Sequence, residues 1–200
     1  IALDADTGKL KWYYQFTPHD VHDWDAAETP MLVDAVLRGE PRKLLLQGNR
    51  NGFFYVPDRL TGQFLLAEPF VKKLTWASGI GADGRPKLLP GNEPTVEGQL
   101  TCPAVVGAAN WPSSAYDSAT GLFYMFAEES CNIYTKNDEW WEAGKSFYGG
   151  GTRRAPGEPG GKFLKAIDIQ TGKTVWERPG IGGGILGSGL MATRGGLIFY

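Results

Sequence analysis

The stretch Phe16-Thr17-Pro18-His19-Asp20-Val21-His22-Asp23-Trp24-Asp25-Ala26-Ala27 crowds carboxylates and imidazoles onto a segment with neither helical nor strand periodicity. Carboxylates of this kind serve proton transfer and the binding of hard cations. Ionisable residues on a loop that a rigid element holds in place are a common setting for catalysis. The plainer alternative is a solvated loop whose Asp side chains cap turns. A zinc pair at His19-x-x-His22 lacks the helix that would bring both imidazoles to one face. Two other motifs are decoys. Gly144-Lys145-Ser146 ends like a phosphate-binding loop, but Glu139 stands where the earlier glycine is required. Gly182-x-Gly184-x-x-Gly187 spells a dinucleotide fingerprint with no strand–helix–strand unit around it.

The elements that position this loop follow from a repeat. Ala2-Leu3-Asp4-Ala5-Asp6-Thr7-Gly8-Lys9-Leu10-Lys11-Trp12 returns as Ala166-Ile167-Asp168-Ile169-Gln170-Thr171-Gly172-Lys173-Thr174-Val175-Trp176. Degenerate copies occupy Val56 to Gly62 and Ala115 to Gly121, so the turn glycine recurs at intervals of 54, 59 and 51 residues. Asp can accept hydrogen bonds from the turn backbone, Gly takes the left-handed position, and the flanks form strands. The Trp can then pack flat against the neighbouring repeat. One hairpin signature every ~50 residues predicts the blades of a propeller. Strands are expected at Lys43–Gln47, Phe53–Val56, Gly121–Phe126 and Lys162–Ile167, and from Leu197 to the last residue. Apolar runs such as Leu44-Leu45-Leu46 suit strands buried on both faces. No convincing amphipathic helix is present. Long loops are predicted from Ala67 to Ala109 and from Glu128 to Gly161. The second carries Trp140, Trp141, Phe147 and Tyr148, which either wall a substrate entrance or cap a blade edge.

Composition agrees with an all-β protein. The chain holds 28 Gly and 13 Pro with 12% aromatic residues, a mixture that favours short strands and turns over helices. A formal net charge of -2 gives no reason to expect binding to nucleic acid or to an anionic membrane. No apolar run approaches the ~20 residues that cross a bilayer. The chain starts at Ile1 without a Met and stops at Tyr200 inside an apolar run, which suggests an internal segment of a longer protein. Cys102 and Cys131 could be two buried thiols or one disulfide, and spacing alone does not decide.

The Ala-x-Asp-x-x-Thr-Gly-x-x-x-Trp repeat resembles the tryptophan docking motif of quinoprotein dehydrogenases, eight-bladed propellers that carry pyrroloquinoline quinone. Three segments in the family's order carry the functional part of the resemblance: Tyr14 to Asp20 leading to Asp23, Asn49-Arg50-Asn51-Gly52-Phe53-Phe54-Tyr55, and Asn110-Trp111 ahead of Tyr116-Asp117. The resemblance spans residues 1–200 as part of a single propeller domain, about four blades of the eight.

What it implies is specific. Asp23 falls on the family's catalytic base, and Arg50 on the basic residue that reaches the quinone carbonyls. Asn110 falls on an amide that contacts the cofactor, with Trp111 beside it. Cys102 and Cys131 match a disulfide of the methanol dehydrogenase branch, which implies an oxidising, periplasmic setting. Asp23 and Asp25 would both ligate the metal. Asp25 adds a hard oxygen and a charge, a signature of lanthanide-using members that glucose dehydrogenase-like members share, so calcium, magnesium and a lanthanide all stay open. Gly187-Ser188-Gly189 departs from the alcohol-oxidising pattern and leaves the pocket shape open. The expected activity is oxidation of a primary alcohol or a sugar by base-assisted hydride transfer to the metal-bound quinone. Electrons would pass to cytochrome c or a quinone, and the segment alone would be inactive. The rival is a non-catalytic scaffold of the same repeats, which has no reason to hold a base, a guanidinium and an amide in register.

Overall fold

A computed structural model describes residues 1–158, 160–180 and 188–200. Among these residues every regular element is a strand. The chain opens with a hairpin, β1 (Ala2–Leu3) and β2 (Leu10–Trp12). A four-stranded antiparallel meander follows: β3 (Met31–Leu37), β4 (Glu40–Gly48), β5 (Phe53–Pro57) and β6 (Phe64–Pro69). Next come the hairpin β7 (Ala77–Ile80) and β8 (Pro86–Leu88), then the short β9 (Gln99–Thr101). The second four-stranded sheet begins with β10 (Ala115–Asp117) and β11 (Leu122–Glu129). It is interrupted by β12 (Asn132–Lys136) and β13 (Gly150–Arg154). It resumes with β14 (Gly161–Asp168) and β15 (Thr174–Pro179). A last hairpin pairs β16 (Met191–Ala192) with β17 (Ile198–Phe199).

This is a partial β-propeller: two complete four-stranded blades, with a hairpin before and a hairpin after. The blades pack face to face. Phe54, Val56, Leu44 and Leu46 of the first interdigitate with Phe123, Met125 and Ile167 of the second, and the Phe54 and Phe123 rings lie 5.0 Å apart. β5 is buried along its whole length, because its alternate residues Phe53 and Tyr55 enter a second cluster with Trp24 and Trp76. That explains the unbroken apolar run.

The repeat docks as its chemistry requires. The Trp12 ring covers Gly62, so closely that a Cβ there would sit 2.6 Å from the ring. The indole N–H donates to the Arg59 carbonyl at 3.0 Å. In the next repeat Leu66 stands in the Trp position and lies 3.4 Å from where a Cβ on Gly172 would be. The copy ending at Gly121 is different. Its turn joins β10 to β11, whereas the turns at Gly8, Gly62 and Gly172 lie between β1 and β2, β5 and β6, and β14 and β15. Among the described residues, nothing lies within 4 Å of the would-be Cβ of Gly121. The same Asp-x-x-Thr-Gly turn chemistry therefore serves two places in one blade, and the repeat period counts hairpins as well as blades.

The two predicted long loops are also partly ordered as strands. The first contributes the hairpin β7–β8 and β9, the second β12 and β13, and β9, β12 and β13 form a separate three-stranded sheet, β13-β12-β9. Cys102, just after β9, and Cys131, just before β12, are joined by a disulfide. Trp140, Trp141, Phe147 and Tyr148 are all exposed, with Trp140 91% accessible.

Candidate active site

The loop 16–30 is held by its own alternation. His22 and Trp24 point inward and are almost fully buried, so Asp23 and Asp25 between and beyond them point out, with side chains 77% and 70% accessible. Trp24 is the anchor. Its ring stacks on His22 at 4.3 Å, meets Trp76 edge-on at 5.4 Å, and donates its N–H to the Ala104 carbonyl at 3.0 Å. Asp20 is a turn former: its two carboxylate oxygens accept the backbone N–H groups of His22 and Trp24 at 2.8 and 2.6 Å. Asp23 sits in the left-handed region with φ 63°, a conformation Asp tolerates better than most residues. The two histidines do not converge: His22 bonds the Asn92 carbonyl at 2.7 Å while His19 is exposed.

Arg50 comes from the turn between β4 and β5. Asn49 Oδ1 accepts the Asn51 N–H, Asn51 Oδ1 accepts the Phe53 N–H, and the Asn51 amide donates to Thr17 Oγ1 at 3.0 Å. Both asparagines are fully buried, so the turn is fixed to the acidic loop as well as to its own strands. A segment after the disulfide then covers the turn. The Ala108 N–H donates to the Arg50 carbonyl at 2.8 Å, and a Cβ on Gly107 would lie 2.6 Å from Arg50 Cβ. Gly107 has φ +82°, so only glycine suits both its backbone and this approach.

The guanidinium is thereby aimed at the two aspartates. Nη1 donates to Asp25 Oδ1 at 2.8 Å, Nη2 donates to the Val105 carbonyl at 2.5 Å, and Nη2 lies 4.0 Å from Asp23 Oδ2. Burial raises the Asp23 carboxyl above its ordinary range, the Arg50 charge pulls it down, and the neighbouring Asp25 pushes it up again. Two like charges beside one cation leave a net negative cluster, which suits a further cation. Among the described residues no group of three or more His, Cys, Asp and Glu comes together as a metal site. Asp23 and Asp25 can thus supply only part of a shell that in hard cations takes six to eight oxygens.

Asn110 belongs to the covering segment. Its amide donates to the Val106 carbonyl at 2.9 Å and its oxygen accepts the Trp111 N–H at 2.9 Å, which leaves one N–H without a partner among the described residues. Trp111 is 59% accessible. The structure therefore joins Asp23, Asp25 and Arg50 by direct contact or near contact, and places Asn110 on the segment whose residues 105–108 cover Arg50. Sequence reasoning passed over four contributors: the Val105 carbonyl, Gly107, the Trp24 anchor and the buried Glu28. Only Trp24 and Glu28 carried a visible signal, the one as a bulky residue inside the charged run and the other as an acid just beyond it. Gly187 lies outside the described residues, so the pocket departure around it has no structural counterpart.

Docked four-stranded sheets, with a charged cluster at the β4–β5 turn of one of them, define a partial β-propeller. A family model for the glucose/ethanol/alcohol dehydrogenase β-propeller domain, PQQ, matches residues 1–71. The chain is 36% identical over 208 residues to the quinoprotein alcohol dehydrogenase PedH of Pseudomonas putida, covering all of this chain and 34% of that protein. It is 34% identical over 217 residues to the lanthanide-dependent methanol dehydrogenase of Methylorubrum extorquens, again covering all of this chain and 35% of the other. The crystal structure of quinohemoprotein alcohol dehydrogenase from Comamonas testosteroni superimposes with a TM-score of 0.87 at 30% identity, over 98% of this chain and 31% of that one. A europium-containing methanol dehydrogenase gives a TM-score of 0.85 at 32% identity, over 99% and 35% of the two chains. The chain thus carries the PQQ-type propeller domain over residues 1–71 and is similar along its whole length to quinoprotein alcohol and methanol dehydrogenases. It spans about a third of the length of the curated relatives it matches.

Proposed function

We propose that the full-length protein is a PQQ-dependent dehydrogenase that oxidises a small primary alcohol, and that residues 1–200 form part of its single propeller domain. One observation carries this reading: a buried guanidinium, built into a turn, holds two exposed carboxylates that point the same way. A scaffold of repeats has no need of that arrangement. Relatives named for alcohols favour an alcohol over a sugar as the substrate.

When bound, pyrroloquinoline quinone supplies the hydride-accepting carbonyl and a cation beside it supplies Lewis acidity. The residues present fit both groups. Arg50 and the free N–H of Asn110 are donors suited to carbonyl and carboxylate oxygens, and the Asp23–Asp25 pair is suited to Ca²⁺ or a lanthanide. Asp23 takes the hydroxyl proton of the alcohol onto its outward carboxylate. Its left-handed backbone and the Trp24 anchor keep that carboxylate from swinging inward. Arg50, with only 9% of its side chain accessible, sets its guanidinium where negative charge grows. Asp25 serves the cation. Trp111 offers an exposed indole beside Asn110, suited to a planar ligand. Electrons leave to cytochrome c or a quinone, in the periplasm, where the Cys102–Cys131 disulfide persists.

The test is Asp23→Asn in the full-length protein loaded with PQQ and either calcium or a lanthanide. Dye-linked alcohol oxidation should be lost while the cofactor stays bound. Turnover equal to that of the unmodified protein removes Asp23 from its role.

A further inference from the structure

Glu28 closes the acidic loop, and the scheme above leaves it without a task. It is 8% accessible. Its carboxyl meets Gln47 of β4, whose amide donates to Glu28 Oε2 at 3.3 Å and to the Glu28 carbonyl at 3.4 Å. Gln47 lies three residues before Arg50, so Glu28 sits beneath the turn that presents the guanidinium. The Arg50 amide and the Arg50 charge both act on the Glu28 carboxyl. Among the described residues, three buried side-chain atoms around this turn have no hydrogen-bond partner: Glu28 Oε1, Asn49 Nδ2 and Arg50 Nε. A buried carboxyl with one unpaired oxygen, which feels the charge of a buried guanidinium without forming an ion pair with it, is far from the fully paired arrangement a structural ion pair would need.

We propose that Glu28 is a positioning residue for Arg50, a second counter-charge on the inner side whose protonation sets how strongly the guanidinium holds an anionic cofactor. This rests on the reading of Arg50 as the cofactor contact. The outer side of the guanidinium is committed to Asp25 and Asp23. The charged group facing Glu28 from the β4–β5 turn is Arg50, β4 presents the neutral Gln47, and its own loop contributes the two aspartates. Burial pushes the Glu28 carboxyl up to about 7, with Gln47 and Arg50 pulling the other way. Near neutrality it therefore changes charge. Protonated, it leaves the Arg50 field intact; ionised, it offsets that field and disfavours an incoming polycarboxylate. By linkage, binding such a ligand draws a proton onto Glu28.

The experiment is a titration of PQQ into the metal-free, cofactor-free full-length protein from pH 5.5 to 8.5, followed by quenching of tryptophan fluorescence. In the unmodified protein affinity should fall by roughly fivefold or more across neutrality, the lower end of couplings between linked sites. Glu28→Gln keeps the Gln47 contact and mimics the protonated acid, so its affinity should match the unmodified protein at pH 5.5 and stay there at pH 8.5. An infrared band of a protonated carboxyl, present at pH 5.5, should fade with rising pH and be missing in Glu28→Gln. If both proteins show the same fall in affinity, or if the band is absent at pH 5.5, the proposal is overturned and the dehydrogenase assignment stands. If the unmodified protein does not bind PQQ at any pH, the dehydrogenase assignment fails and takes the proposal with it.

Discussion

Gly62→Ala and Gly121→Ala form a matched pair that isolates the docking of one blade on the next. Both glycines end the same Asp-x-x-Thr-Gly turn, with φ of +74° and +71°. Each substitution therefore pays for a left-handed alanine, about 1–2 kcal/mol. Only Gly62 pays more. Its new Cβ would lie 2.6 Å from Trp12 Cε3 and 2.8 Å from Cδ2, well inside contact distance. The indole has little freedom to retreat, because its N–H is tied to the Arg59 carbonyl at 3.0 Å. Overpacking of this kind costs roughly 1–3 kcal/mol, so Gly62→Ala should be less stable than Gly121→Ala by that amount. Urea unfolding of the full-length variants, followed by tryptophan fluorescence and compared at unchanged m-value, measures the difference. Equal destabilisation of the two variants would show that Trp12 contributes no docking energy at Gly62, and the account of how blades seal would be wrong.

Further outcomes follow from the site and its cover. Arg50→Lys keeps the charge but cannot span Asp25 and Val105 together, so kcat/KM should fall by roughly 10²- to 10³-fold, the range seen when one preorganised donor is lost; steady-state kinetics with a small alcohol would show it. Asp25→Asn removes one charge from the metal side and one partner from Arg50, so terbium luminescence titrations should show weaker lanthanide binding; unchanged affinity would exclude Asp25 as a ligand. Reducing Cys102–Cys131 opens a loop of 29 residues' separation, and the loop-entropy relation puts the loss at about 3–4 kcal/mol; unfolding with and without dithiothreitol tests it, against Cys102→Ser with Cys131→Ser as a control that reductant should leave unmoved. The Glu28 carboxyl is raised from 4.5 to about 7, so the native state holds a proton that the unfolded chain releases. Stability should fall as pH rises from about 4.5 to about 7, by about 3 kcal/mol at most, and Glu28→Gln should flatten that slope.

Much of the architecture was readable because one short-range rule repeats. Asp, Thr and Gly at fixed spacing make a turn wherever they occur, so the hairpins at Gly8, Gly62 and Gly172 could be placed from the residues alone. The same locality misled at Gly121, since a turn signature does not say which pair of strands it joins. The long loops hid β7, β8, β9, β12 and β13 because these strands are short and carry little alternation, and because β9 finds its partner β12 only in the other loop. In the site, Asp23, Asp25 and Arg50 stood out by residue type. Val105 did not, because it acts through a carbonyl that every residue has, and Gly107 did not, because its purpose is to lack a side chain next to Arg50. Glu28 was visible as an acid, but only burial reveals that its proton is held near neutrality.

The sheet β13-β12-β9 draws one strand from the excursion after the first blade and two from the excursion within the second, and the residues that roof Arg50 follow immediately behind its disulfide. That roof is thus the joint property of two neighbouring blades. Grafting either excursion alone from a relative, with the aim of altering what enters the site, would transplant half a lid and shift Val105 and Gly107 off the guanidinium. Exchanging both together, with their cysteines, is the smallest cassette that should move cleanly between members of the family.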